Sequence, residues 1–369
     1  MSDPNLQTLI ERVQAARASR SPLDIRGGNT KAFYGETPRG EALDMRPLTG
    51  ISNYEPSELV VTVRAGTPLA ELEAALAEKG QCLPFEPPRF GDVGANAGGN
   101  GGTVGGMVAA GLAGPARATV GGVRDYVLGA TLLNGKAEVL SFGGQVMKNV
   151  AGYDVSRLLV GSMGVLGVIL EVSLKVLPVA PASTTLRFEM DEAQALRQLN
   201  QWGGQPLPLS ASAWWNGMLV LRLAGASAAV QAALRKLGGE TVEPALAGSF
   251  WRGLRDHHDE FFDAAAQAVA AGATLWRLSV PQTAPPLNTP GERLVEWGGA
   301  QRWAVTTAPA ALMREAAARV GGHALVFRGD KAGGVFAPLP GAQARVHQQM
   351  KLAFDPDRVF NPGRLYRDL

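Results

Sequence analysis

The chain of 369 residues has one cysteine, Cys82, and four histidines. A single thiol excludes a disulfide framework and any cluster held by several thiolates. It fits a reducing compartment, and its setting in KGQCLPF, ahead of an apolar run, reads as a small buried hydrophobe. An excess of charge of one sign is also missing. The formal net charge is +2, and the 35 Lys and Arg residues are scattered rather than blocked, so nothing argues for a nucleic-acid partner. Long hydrophobic runs are absent: no window approaches the roughly 18 apolar residues of a spanning helix. The N-terminal SDPNLQTLIERVQAARASR is charged and helical in period, without the apolar core of a signal peptide. A cytoplasmic protein is expected, with no transmembrane segment. Any contact with the inner membrane would be peripheral and through a partner.

Three nucleotide and hydrolase signatures are absent as well. G-x-x-x-x-G-K-[ST] does not occur, which excludes a P-loop. G-x-G-x-x-G does not occur, which argues against a Rossmann dinucleotide fold. G-x-S-x-G does not occur, which removes the usual hydrolase elbow.

Glycine is what the sequence has in quantity, with 46 residues, and 91–122 is its densest stretch. Val, Met and Leu interleave that stretch and strands follow it, so it is not a flexible linker. Upstream, residues 26–31 read RGGNTK. Adjacent glycines let backbone N–H groups approach a ligand closely and converge on an anion. Asn29 and Thr30 add donors, and Arg26 and Lys31 add charge. A phosphate or pyrophosphate is the natural guest, and an ordinary tight turn between strands is the alternative.

Periodicity outlines the rest. Leu6, Leu9, Ile10 and Val13 predict a helix over 5–18. LDI is a short strand entering RGGNTK, and ELVVTVRAG (58–66) is a strand. Residues 67–80 predict a helix with Thr67 as cap, Pro68 at the first position and Gly80 at its end. YVLGATLLNGKAEVLSF (126–142) predicts a hairpin turning at Asn134-Gly135, and 164–179 a long strand or strand pair. The composition shifts near Pro178–Pro181 to an Ala-, Trp- and Arg-rich region of short strands and helices reaching about residue 335. A helix and a Pro/Gly turn, FDPDRVFNPGR, follow.

The ordered set IRGGNT, NGGTVGGMVAAGLAG, TVGGVRDYVLGATLLNGK and MKNVAGYDVSRLLVGSMGVLGVILEVSLKVLP resembles the FAD-binding domain of the vanillyl-alcohol oxidase / p-cresol methylhydroxylase (PCMH) superfamily. Within it, the set resembles the FAD-binding subunits of bacterial glycolate oxidases. The likeness is close over 20–180, good over FDPDRVFNPGR and loose between. It implies an α+β fold: a two-subdomain PCMH-type FAD-binding domain (1–180), an α+β cap domain (181–335) and a C-terminal segment (336–369) returning to the FAD domain. By this resemblance RGGNTK is the pyrophosphate loop, with Arg26, Gly27, Gly28, Asn29, Thr30 and Lys31. Thr103, Gly105 and Gly106 lie against the flavin or its ribityl chain, where a flat ring tolerates no bulky side chain. Gly121 and Asp125 match the next contacting segment. Tyr153, Asp154, Gly161, Gly164, Gly167 and Val168 match the last, and Asn361 closes over the flavin side. Turns and core packing are the plain alternatives for these.

The resemblance also implies a complex with a catalytic FAD subunit and an iron–sulfur subunit that oxidises glycolate, a small 2-hydroxy acid. Covalent flavin attachment in this superfamily uses His or Cys. All four histidines (His257, His258, His323, His347) lie outside 1–180, so FAD is expected to be non-covalent. Catalytic relatives carry H-x-G-D-G-N-x-H and a later Glu-His pair that bind a divalent metal, and both are missing here, so no metal is expected. Adjacent His257 and His258 in RDHHDEFF diverge by about 100° on a helix and read as a solvated face, and His323 as a core histidine. Trp214, Trp215, Trp251, Trp276, Trp297 and Trp303 read as core or interface aromatics. The catalytic residues are left unassigned. The chain reads as an accessory or electron-carrying subunit. A self-sufficient dehydrogenase clamping its substrate with Arg277, Arg302 or Arg328 stays open, as does a non-catalytic scaffold.

Overall fold

The structure is a computed structural model and describes residues 3–91, 102–144 and 154–369. Two β-sheets organise it. The first is five-stranded and antiparallel. In spatial order it runs Ile51–Glu55, Val60–Arg64, Val168–Lys175, Val127–Leu133, Val139–Gly143. Its inner face supplies Val61, Val63, Ala130, Leu132, Val172 and Leu174, which pack against Leu69, Leu72 and Leu76 of the helix Leu69–Ala77 and Val104, Met107 and Val108 of the helix Val104–Ala110. A smaller unit beside it pairs Leu23–Arg26 with Glu41–Asp44 in parallel. The amphipathic helix Pro4–Ser19 covers this unit, burying Leu9, Val13 and Ala16 against Leu23, Leu43 and Val168.

The second sheet has eight strands, all antiparallel, drawn from 182–328. Period-two alternation divides its residues between two cores. Trp276, Leu278, Ala304 and Val326 face the helix Ala310–Ala318. Leu275, Trp303, Leu325 and Phe327 face the opposite way, toward Phe261 and Phe262 and toward Tyr34, Phe90, Leu112 and Met163 of the first domain. Polar ties reinforce that contact. Trp297 Nε1 donates to Gly114 O at 3.0 Å, Arg222 pairs with Glu86 at 2.8 Å, and Lys331 Nζ donates to Phe33 O and Gly35 O, both at 2.7 Å.

The C-terminal segment after the helix Gly341–Phe354 packs on the first domain. Lys351 is 0 % exposed, and its ammonium donates to Asp355 Oδ2 (2.7 Å), Val165 O (2.8 Å) and Phe360 O (2.7 Å). Asp355 in turn accepts from Val359 N and Phe360 N. The pair engages all three ammonium protons and three carboxylate lone pairs, which offsets part of the desolvation cost that still lowers the Lys351 pKa, and it fixes the chain that delivers Asn361.

Local expectations are met with corrections. The first helix and the strand Val60–Arg64 form as the pattern predicts. Thr67 does not cap the next helix. Its hydroxyl accepts from Gly50 N at 2.9 Å, and Pro68 takes the capping position. The hairpin loop spans 134–138 rather than two residues: Leu133 pairs with Val139, and Ala137 takes the positive φ (63°). Asn134 Oδ1 accepts from both Lys136 N and Glu138 N, so its side chain replaces the tight turn. Cys82 lies in a two-residue strand and is half-buried, and burial raises its thiol pKa.

Candidate functional site

A cleft opens between the loop after Leu23–Arg26, the start of the helix Val104–Ala110, and the C-terminal segment. Arg26, Gly28, Asn29, Thr30, Lys31, Thr103, Gly106 and Asn361 line it, with Met163 and Arg364. An adjoining recess continues past Gly105, Gly164 and Gly167 toward Met45 and Ile169. Residues distant in sequence thus line one cleft.

The glycines are required by proximity. A Cβ on Gly28 would sit 2.9 Å from Gly102 Cα, and one on Gly27 would overlap the Thr103 hydroxyl. A Cβ on Gly105 would meet Ala65 at 2.7 Å, and one on Gly164 the Asn361 amide at 2.7 Å. The left-handed residue of the loop is Asn29 (φ 56°), a type that tolerates this conformation. Thr103 caps the helix Val104–Ala110, its hydroxyl accepting from Gly106 N at 3.2 Å.

Charge at the cleft is unequal. Arg26 is tied to buried Asp24 at 2.6 Å, so its charge is already matched. Among the described residues, no carboxylate forms an ion pair with Lys31. Its ammonium lies 5.6 Å from the Phe90 ring centroid, and burial pushes its pKa down to about 8, with Asp256 opposing. A dehydrated ammonium beside a backbone-lined cleft is complementary to a phosphate anion. Arg364 was not singled out from the sequence. Its guanidinium donates to Glu36 O, Lys31 O and Ala32 O, so it braces the loop's far end rather than facing a ligand; its place beside the FNPG turn was the available signal. Asn361 has a similar job. Its Oδ1 accepts from Ile25 N at 2.8 Å and its Nδ2 donates to Met163 O at 2.6 Å, joining the strand before the loop to the turn at 163–164.

Several other expected residues do not line the cleft or its recess. Asp125 Oδ2 accepts from Gly122 N at 2.8 Å, and Gly121 (φ 92°) has no room for a Cβ beside that carboxylate. The two form a helix-start turn outside the residues lining the cleft. Asp154 caps the short helix Val155–Leu158 and pairs with Arg157 at 2.9 Å. Gly161 (φ 78°) donates to Val108 O at 3.0 Å. Val168 is 0 % exposed, its side chain in the core with Leu43 and Leu170. Tyr153 and most of the motif before Gly102 lie outside the described residues.

The histidines require correction. His257 is not on a solvated helix face. The helix Pro244–Asp256 stops before it, and His257 takes the left-handed cap position (φ 59°). Its ring stacks on Phe262 at 3.7 Å and 2°, and burial followed by Arg328 and Arg277 lowers its pKa well below the usual value, so it is neutral. His323 is exposed at a strand start rather than in the core. Among the described residues, no three His, Cys, Asp or Glu side chains gather as a metal site would need.

The three candidate arginines separate clearly. Arg302 is buried and committed to Glu192 (3.3 Å), Gly299 O (2.6 Å) and Ala284 O (3.0 Å). Arg328 stacks on Phe33, 3.5 Å from the ring centroid. Arg277 faces a second cavity under the cap sheet with His257, Glu296, Gln301, Trp303 and Phe90.

The residues of the main cleft fit a dinucleotide flavin: backbone where a flat ring and a pyrophosphate need close approach, and a cation, Lys31, with no ion pair among the described residues. Comparison with known proteins agrees. A family model described as FAD binding domain matches residues 5–143. Glycolate oxidase subunit GlcE of Escherichia coli K12 is 47% identical over 363 residues, covering 98% of each chain. Glycolate oxidase subunit GlcD of Bacillus subtilis is 30% identical over 183 residues, 48% of this chain and 37% of that one. A solved alkyldihydroxyacetonephosphate synthase superposes over 96% of this chain and 74% of that one with a TM-score of 0.65 at 14% identity, a shared fold. An FAD binding domain walled by glycine, and near-half identity from end to end, place the chain in the family of the glycolate oxidase subunit GlcE.

Proposed function

We propose that this chain is the FAD-binding subunit of a complex that oxidises glycolate, and D-lactate as a second substrate, to the 2-oxo acid. The observation that carries the reading is the full-length likeness to GlcE. The geometry supports it. Gly27, Gly28, Asn29 and Thr30 would present backbone and side-chain donors to the pyrophosphate, with Lys31 supplying charge. Thr103, Gly105 and Gly106 would flank the ribityl chain and ring, and Gly164 and Asn361 the opposite side. No histidine lies in 1–180, so retention would be non-covalent. When bound, FAD supplies the two-electron acceptor for oxidation of the 2-hydroxy acid, which loses two electrons and two protons.

The partners would be a second, catalytic flavin subunit and an iron–sulfur subunit, with location in the cytoplasm or peripherally at the inner membrane through them. The metal-binding histidine motifs of catalytic relatives are missing from this sequence. Positioned acid–base help is worth roughly 10²–10⁴-fold, so the chain alone should turn over slowly. The test is anaerobic single-turnover reduction of the FAD-loaded chain. Glycolate should leave its flavin oxidised, and addition of the partner subunits should permit reduction and steady turnover. Rapid bleaching of the isolated chain would favour a self-sufficient dehydrogenase. Failure to bind FAD at all would remove the reading.

A further inference from the structure

A third cavity, of about 480 Å³, lies between the strands Ala182–Glu189 and Met218–Gly225, the helix Pro244–Asp256 and Glu86 of the first domain. Its size is that of a small-molecule site. It shares no lining residue with the main cleft or its recess, so the flavin reading leaves it unassigned.

Three guanidinium groups line this cavity. Arg222 pairs with Glu86 at 2.8 Å and donates from Nε to Ser210 Oγ at 3.2 Å, with its guanidinium carbon 5.0 Å from the Trp251 ring centroid. Arg255 holds Asp256 through Nε (2.8 Å) and Nη2 (2.6 Å). Among the described residues, Nη1 of Arg222 and of Arg255 has no protein acceptor. Arg252 forms no ion pair and no side-chain hydrogen bond among the described residues. It folds back along its helix, its Nη1 only 3.2 Å from where a Cβ on Gly248 would stand. The two nearby carboxylates are engaged elsewhere: Glu86 Oε2 accepts from Ala116 N and Asp256 Oδ1 from Arg89 N, both at 2.9 Å. The strand wall adds the hydroxyls of Ser183, Thr184 and Thr241, none of which bonds a protein group among the described residues.

We propose that this cavity binds a small phosphate monoester, its phosphoryl group held by Arg252 together with the uncommitted edges of Arg222 and Arg255. A carboxylate has two oxygens and about four lone-pair sites. Three guanidinium edges and three hydroxyls offer more donors than that, and the three strong acceptor oxygens of a phosphoryl group can take them up. Arginine is also the side chain whose fork suits phosphate. Val242, Pro244 and Ala247 give the organic part of the ester an apolar wall. Arg222 is the residue that ties the cap to Glu86 of the first domain, so ligand binding and the stability of that joint are linked.

The test is calorimetric titration of the full FAD-loaded chain, at fixed ionic strength, with glycerol 3-phosphate, inorganic phosphate, malonate and acetate. Bound FAD keeps these anions out of the main cleft. Glycerol 3-phosphate should bind at one site per chain, at least about tenfold tighter than malonate or acetate, and should raise the melting temperature as its concentration rises. Arg252→Gln should weaken it at least about tenfold while FAD content and the melting temperature of the ligand-free chain stay unchanged, and Arg252→Lys should recover part of the loss. Arg222→Met also removes the tie to Glu86; should it not fold, the Arg252 pair decides alone. Malonate bound as tightly as the ester would overturn the phosphate assignment. No saturable binding by an FAD-replete chain, or binding that Arg252→Gln leaves unchanged, would overturn the site. The inference does not rest on the flavin reading: should the chain take up no FAD, the Arg252 pair makes the same distinction on the chain as isolated.

Discussion

The main cleft and the cap cavity adjoin across Phe90 and are built from opposite materials. The cleft and its recess are walled by backbone: glycines at 28, 105 and 164 that leave no space for a Cβ. The cavity is walled by side chains, with Arg277, Gln301 and Glu296 set among aromatic rings. A backbone wall dictates residue type, because only glycine permits the approach. A side-chain wall dictates only the sum of shape and charge, which many combinations supply. The first kind of site therefore leaves a linear motif and the second does not.

Removing what holds the cleft in place should give the largest effect. Lys351→Met would leave Asp355 buried without its cation and the carbonyls of Val165 and Phe360 without their donor. Breaking a buried pair typically costs about 3–5 kcal/mol, so chemical denaturation should show a loss of that order, with the Asn361 clamp and FAD retention failing together. A loss below about 1 kcal/mol would mean that the C-terminal segment is not integral to the cleft.

The backbone wall can be probed by rescue. Gly27→Ala should weaken FAD binding because its methyl meets the Thr103 hydroxyl, and adding Thr103→Ala should restore part of the affinity. Gly28→Ala should resist the same rescue, since its obstacle is the backbone of Gly102. Each clash is expected to cost about 1–3 kcal/mol. Rescue of both glycine variants alike would show that the close approach is not what the loop requires.

The side-chain wall separates buried Arg302 from half-buried Arg277. Arg302→Met should destabilise the fold, because among the described residues Glu192 would keep only Arg293, at 3.1 Å, and should leave FAD binding in surviving protein unchanged. The effect should be smaller than for Lys351→Met, about 2–3 kcal/mol, because one cation remains near Glu192. Arg277→Met should nearly keep the melting temperature, because the bond it loses is a single long one, to Tyr34 Oη at 3.3 Å.

The smallest effect expected is on pH. Lys31 has its pKa lowered to about 8 by burial. It is protonated below that value, and a pyrophosphate favours the protonated form. FAD affinity should be level below about pH 8 and fall as pH rises above it. Without ligand the sign is opposite: the folded state disfavours the Lys31 charge, so this residue's contribution to stability improves between about 8 and the ordinary lysine value of 10.5. Lys31→Met should flatten the binding profile. An unchanged profile would place the pyrophosphate away from Lys31.

The sequence shows these differences unevenly. RGGNTK, Thr103 and Gly106 are legible because close approach fixes their identity and order. Asn361 is legible as a position, yet its role as a clamp between Ile25 and Met163 needs the fold. Thr67 misleads because a longer-range partner, Gly50, takes its hydroxyl, and Asn134-Gly135 misleads because the Asn134 side chain closes a longer loop through Lys136 and Glu138. His257 misleads because helical spacing does not mark where a helix stops. Arg277, Arg302 and Arg328 are alike in the chain. Sheet register alone turns the first toward an open cavity and the second toward Glu192.

Equilibrium titration of flavin-free protein with FAD, for the unaltered chain and for Gly28→Val, tests the central claim most directly. The unaltered chain should bind one FAD that acid or heat releases. Gly28→Val should bind at least about tenfold more weakly, as expected of a bulky side chain forced against Gly102, while retaining its far-ultraviolet dichroism. Equal affinity in the two proteins would contradict the account, because the loop would then be an ordinary turn and the pyrophosphate would lie elsewhere.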